Sequence, residues 1–226
     1  MKYYFFLVFY FLVNTIIAQL PNNKNIKLEL EGTTEEIFSY KQMNGSPYRY
    51  KEFEDGKVYL KSNTEAIAYK INYNAYKDHF EYIEGNVTYA VANPKKINNI
   101  VIDGETFIYT KYYNYDNLKE GYFIEIEDDY ISLYKRELIS MISPKNIDYS
   151  STPYINGDFV RLKPMYYISI YGDPLILLKS KSKLLELFFN HPDLKQFIKK
   201  EKIKLHDEDD LKKLITFLNN FDKNKK

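Results

Sequence analysis

The stretch IVIDGETFIY, residues 100–109, decides the fold class. Ile100 and Ile102 fall on one face of an extended chain, and Phe107 and Tyr109 do the same beyond Asp103-Gly104. A two-residue hairpin turn asks for positive φ, and Asp and Gly are residue types that tolerate it. The stretch therefore predicts two antiparallel strands joined at Asp103-Gly104.

Working outward, the period of two persists. Ile67, Tyr69, Ile71 and Tyr73 alternate, as do Val87, Tyr89 and Val91, and Ile67, Tyr69, Ile71, Val87 and Tyr89 are expected to be mostly buried. On the other side Tyr122, Ile124 and Ile126 alternate, Asp128-Asp129 interrupts, and Ile131 and Leu133 resume. Asn44-Gly45-Ser46-Pro47, Asp55-Gly56 and Glu84-Gly85-Asn86 read as turns. Short strands with tight turns at this spacing predict an antiparallel meander, as a curved sheet or a partly open barrel. Residues 141–156 break the pattern and read as a surface loop or a strand-to-strand crossing. Strands are expected again over 158–163 and 165–171, with Gly172-Asp173-Pro174 turning into 175–178.

The period then changes. Leu184, Leu187 and Phe188 recur at helical spacing, followed by Leu194, Phe197 and Ile198, then Leu211, Leu214, Ile215, Leu218 and Phe221. Ser180 or Ser182 suits the first cap, Pro192 the first turn of the second helix, and Asp207 the third cap. The fold class expected is α+β: an antiparallel β domain over 35–178 and a helical unit over 179–226.

The N-terminus reads as a targeting segment. Lys2 precedes an apolar run from Tyr3 to Val13, and Ala18 offers a cleavage boundary before Gln19. That order is a secretory signal peptide over 1–18. A retained anchor requires about 20 apolar residues, and this run stops at Asn14 and Pro21. Residues 19–34 are polar, with Ile26, Leu28 and Leu30 alternating, and read as a flexible segment that suits an edge strand. The chain has no cysteine, which excludes disulfides and cysteine lipidation. Export to the periplasm or the extracellular space is expected, with no membrane span after cleavage.

Charge excludes another class. The chain holds 32 basic and 31 acidic side chains, and residues 1–18 contain one lysine and no acid, so 31 of each remain. Nucleic-acid binders carry a basic excess, so nucleic acid is not expected as a partner.

Catalytic patterns are sparse. His79 lies on an alternating strand, while His191 and His206 each precede a helix. Asp207, Asp209 and Asp210 beside His206 suit a helix N-terminus for dipole reasons alone. No HExxH, GxSxG, Walker or GxGxxG pattern occurs. Glu125 and Glu127 form a strand pair whose alternation with Tyr122, Ile124 and Ile126 matches a solvated face. No catalytic residue, cofactor or metal is expected. Tyrosine is abundant at 24 residues. It suits sheets, and its polar tip also suits contacts. Tyr112, Tyr113, Tyr115, Tyr166, Tyr167 and Tyr171 gather near turns and strand ends, and are the expected contact surface.

Three groups of residues carry a resemblance. The first is Asn44-Gly45-Ser46-Pro47-Tyr48 with Gly56-Lys57-Val58-Tyr59-Leu60. The second is Lys70-Ile71-Asn72-Tyr73-Asn74 ahead of Phe80-Glu81-Tyr82. The third is the tail from Lys179 to Leu185 with Phe197-Ile198-Lys199-Lys200 and Glu208-Asp209-Asp210-Leu211. Together they resemble a family of uncharacterised exported proteins common in Bacteroidota. The resemblance implies an envelope or extracellular location and brings no catalytic residue with it. Lys183 departs from the acid expected there, which removes a capping-box partner. The expected function is a non-catalytic binding or interaction module, with an envelope protein or glycan as partner. The alternatives are a hydrolase of envelope or environmental polymers and a structural part of a surface assembly.

Overall fold

The computed structural model describes residues 43–62, 65–142 and 157–223. The expected signal peptide, the segment 19–34 and most of the loop expected at 141–156 lie outside the described residues. The strands run in order β1 (Glu54–Leu60), β2 (Ala66–Asn74), β3 (His79–Glu84), β4 (Val87–Ala90), β5 (Ile97–Ile102) and β6 (Glu105–Asn114). Then come β7 (Asn117–Glu127), β8 (Ile131–Arg136), β9 (Ile139–Ile142), β10 (Asp158–Arg161), β11 (Met165–Ile170) and β12 (Ile176–Leu177). The helices α1 (Lys181–Leu187), α2 (Leu194–Lys200) and α3 (Glu208–Lys223) follow.

Ten strands form one antiparallel sheet in the order β12-β11-β8-β7-β6-β5-β1-β2-β3-β4, and β9 pairs with β10 separately. The sheet is not closed: β12 and β4 stand at its two ends. The deciding hairpin forms as the sequence predicts. Asp103 and Gly104 have φ of 50° and 75°, and Ile102 pairs with Glu105 and Ile100 with Phe107. Ile100, Ile102 and Phe107 are buried together with Val58, Ile71, Phe80 and Ile124.

Four readings are corrected. Asp55-Gly56 is not a turn but part of β1. A Cβ on Gly56 would lie 2.2 Å from Ile71 Cγ2, so the glycine serves close packing between β1 and β2. Val87, expected in the core, is exposed, because it opens the edge strand β4, and Ile67, Tyr69 and Tyr89 are only partly buried. Met141 and Ile142, expected in a loop, end β9. Pro192 lies ahead of α2 rather than in its first turn, with Asp193 between them. The other two caps hold: Ser180 Oγ accepts from the Lys183 N–H at 3.2 Å, and Asp207 Oδ1 from the Asp210 N–H at 3.1 Å. The α1 start thus forms without an acid at Lys183.

The helices cover one face of β8 and β11. Leu184, Leu194, Leu211, Leu214 and Leu218 are buried with Leu133, Tyr166 and Ile168, whereas Leu187, Phe188 and Phe197 are only partly buried. Asn219 of α3 anchors this packing. Its Oδ1 accepts from the Ile131 N–H at 2.8 Å, and its Nδ2 donates to the Ile131 carbonyl at 2.9 Å. A third cluster holds Tyr112, Phe123, Tyr134, Tyr167 and Leu175. Among the described residues no helix is long and apolar enough to cross a membrane.

Candidate functional site

A charged cleft lies along the outer edge of β6. β6 is laddered to β5 only from Glu105 to Phe107. Further on, Leu175 bridges to Tyr112: its N–H donates to the Lys111 carbonyl and its carbonyl accepts from the Tyr113 N–H, both at 2.9 Å. Ile108, Tyr109 and Thr110 belong to neither register. In a strand, the main-chain groups of alternate residues point to the same edge. Tyr109 therefore directs its N–H and C=O to the side where Lys111 and Tyr113 meet Leu175, at a position paired by neither β5 nor Leu175. The result is a notch in the sheet between two partners of β6.

The notch is a cleft of about 480 Å³ lined by Lys61, Lys95, Tyr109, Thr110, Lys111, Glu120, Gly172 and Pro174. That volume lies within the ordinary ligand-pocket range of about 300–1,000 Å³. Lys61 follows β1 and is held by its N–H to the Lys96 carbonyl at 3.0 Å. Lys95 sits in a single 3₁₀ turn, Pro94–Lys96. Lys111 and Glu120 face each other across β6 and β7. Gly172, at φ 82°, forms the opposite lip with Pro174.

The lining carries three ammonium groups and one carboxylate. Lys95 Nζ lies 2.7 Å from Glu120 Oε2, and this bond and charge raise the Lys95 pKa. Among the described residues Lys61 and Lys111 form no ion pair, so their charges are available to a ligand. Burial, then the charges of Glu120 and Asp78, push the Tyr109 phenol up, so it stays a neutral donor at neutral pH. The cleft offers cations, a phenol, a hydroxyl and a strand edge, which is equipment for holding an anion.

The histidines lie elsewhere. His79 Nε2 is 2.7 Å from Glu81 Oε1, which also accepts from Asn74 Nδ2 at 2.8 Å, while Glu81 Oε2 accepts from the Tyr48 hydroxyl at 2.6 Å. This cluster ties the segment before β1 to β2 and β3. His191 is buried against Phe217 and Phe221, and His206 is exposed. Among the described residues no group of three His, Cys, Asp or Glu is placed to hold a metal ion. Asp207 Oδ1 is occupied by the cap, and Asp210 Oδ2 accepts from the Lys204 N–H at 3.1 Å. A bulge separates Glu125 from Glu127 where β7 meets β8, and neither lines the cleft.

The tyrosine surface is half withdrawn. Tyr112, Tyr166 and Tyr167 are buried at 6%, 6% and 4% exposure, so they are core residues and not contacts. Both faces of this part of the sheet are covered, which is why adjacent Tyr166 and Tyr167 are buried in different clusters. Tyr113, Tyr115 and Tyr171 are exposed. Tyr115 sits at the β6–β7 turn and Tyr171 beside Gly172, both with left-handed φ. The sequence did not single out Lys61, Lys95, Lys111 or Glu120; the only local signal was the Gly172-Asp173-Pro174 turn. No family model, curated protein or solved structure matches the chain.

Proposed function

We propose that this chain is an exported, non-catalytic binding module of the cell envelope or extracellular space, and that the notch on β6 takes an anionic ligand. The observation that carries the reading is the lining itself: three lysines surround one carboxylate, in a chain whose mature charge is balanced. Such a local excess strengthens capture and steering of an anion. The single carboxylate is engaged by Lys95, which argues for holding a ligand rather than for acid–base work. The exported location rests on residues 1–18 and on the resemblance to exported proteins of Bacteroidota.

The test is a titration of the purified mature protein with anionic and neutral oligomers, alongside the double variant Lys61→Ala/Lys111→Ala. Anionic oligomers should bind, neutral ones should not, and the double variant should lose at least about tenfold in affinity. Binding that ignores the double variant, or turnover of the ligand, overturns the reading.

A further inference from the structure

We propose that the occupant of the notch is an extended acidic peptide segment that pairs its main chain with β6 at Tyr109 and sets its carboxylates among Lys61, Lys95 and Lys111. This rests on the notch being a ligand site and names the ligand class.

The first argument is main-chain geometry. The Tyr109 N–H and C=O point into the notch, between Phe107, which β5 occupies, and Lys111, which Leu175 occupies. Phe107 to Lys111 span roughly 13 Å, so the opening admits the middle residues of an extended peptide, whose two ends lie outside the notch. A peptide offers a donor and an acceptor on one edge at every second residue, which is the complement of an open strand edge. A saccharide offers no such repeat.

The second argument is charge. An open edge invites strands of any kind, and lysines beside it repel most of them. Lys61, Lys95 and Lys111 exclude basic strands and favour acidic ones, so the same residues block the wrong partner and admit the right one. No arginine lines the cleft. Lysine reads charge and not planar geometry, so the lysines leave orientation to the strand edge.

The experiment uses the full mature chain and four probes in solution. They are a capped hexapeptide of alternating glutamate and valine, two versions of it N-methylated at one or the other set of alternate amides, and trigalacturonate. The parent peptide should bind. One methylated version should lose about tenfold, because its missing N–H groups face the notch, while the other stays within about twofold. Equal affinity for both methylated versions would overturn main-chain pairing and leave the anion site standing. Trigalacturonate binding without peptide binding would make the site a saccharide site and overturn the peptide. Failure of every probe would overturn the peptide and the anion site together.

Discussion

Arg136 Nη2 donates to Asp78 Oδ2 at 2.6 Å, joining β8 to the turn between β2 and β3. Asp78 holds a left-handed φ of 57° to do this. Its other oxygen accepts from the Tyr73 hydroxyl at 2.6 Å and from the Tyr122 N–H at 3.2 Å. The guanidinium lies 4.6 Å from the Tyr112 ring centre and 5.2 Å from that of Phe123. Burial disfavours the charged arginine, but the Asp78 charge together with Tyr112 and Tyr73 outweighs that, so its pKa is raised. The pair stitches the cluster around Phe80 to the cluster around Tyr112.

Breaking one partner leaves the other buried and unpaired. Asp78→Ala should destabilise by about 3–5 kcal/mol in urea unfolding, since removing one member of a buried pair costs that much. Gly121→Ala should also destabilise, because its Cβ would sit 2.6 Å from Asp78 Oδ2 and 3.0 Å from Arg136 Nη2. Neutral outcomes for both would show that the pair holds nothing together.

Acid should unfold the protein partly through Glu81. Burial raises its pKa, but hydrogen bonds from His79, Tyr48 and Asn74 outweigh burial and hold it below the ordinary carboxylate range. A folded pKa below the unfolded value means stabilisation that is full above about pH 4.3 and is lost as pH falls through the folded value. Glu81→Gln should therefore be less stable at neutral pH and show a flatter decline in acid. Parallel acid limbs for the two proteins would remove Glu81 from the account.

The helices should depend on one apolar and one polar anchor. Leu214 is fully buried, so Leu214→Ala should cost about 2–5 kcal/mol. Asn219→Ala leaves both main-chain groups of Ile131 without the amide that satisfies them, and should cost about 1–3 kcal/mol or more. Hydrogen exchange at the Ile131 amide should rise in the second variant, and an unchanged rate would contradict the anchoring role.

How far the sequence was legible follows from how local each feature is. Asp103-Gly104 and the caps at Ser180 and Asp207 depend on a few neighbouring residues, so their chemistry could be recognised in place. Gly56 was misread because its reason is Ile71 on another strand. Tyr112, Tyr166 and Tyr167 were misread because nearness to turns and strand ends says nothing of what lies over a strand, and here both faces are covered. The notch was invisible for a further reason. It exists because Leu175 returns to β6 some sixty residues later in the chain, and no periodicity within β6 announces where a distant partner stops.

Glu120 should act as a brake on the notch. Its carboxylate holds Lys95 at 2.7 Å and faces Lys111 across the strands, so it competes with any incoming anion for these cations. Glu120→Gln removes the competing charge and keeps the side chain's size and a hydrogen-bonding oxygen. The pair is exposed, so water and salt screen it and the effect should be modest: the acidic hexapeptide should bind roughly two- to fivefold tighter to the variant. The gain should shrink as salt rises, because screening at high ionic strength weakens both the competitor and the ligand. Lys111→Ala in the same background should reverse the gain. Weaker binding by Glu120→Gln would show that the carboxylate accepts a hydrogen bond from the ligand, and that the cleft reads a donor as well as a charge.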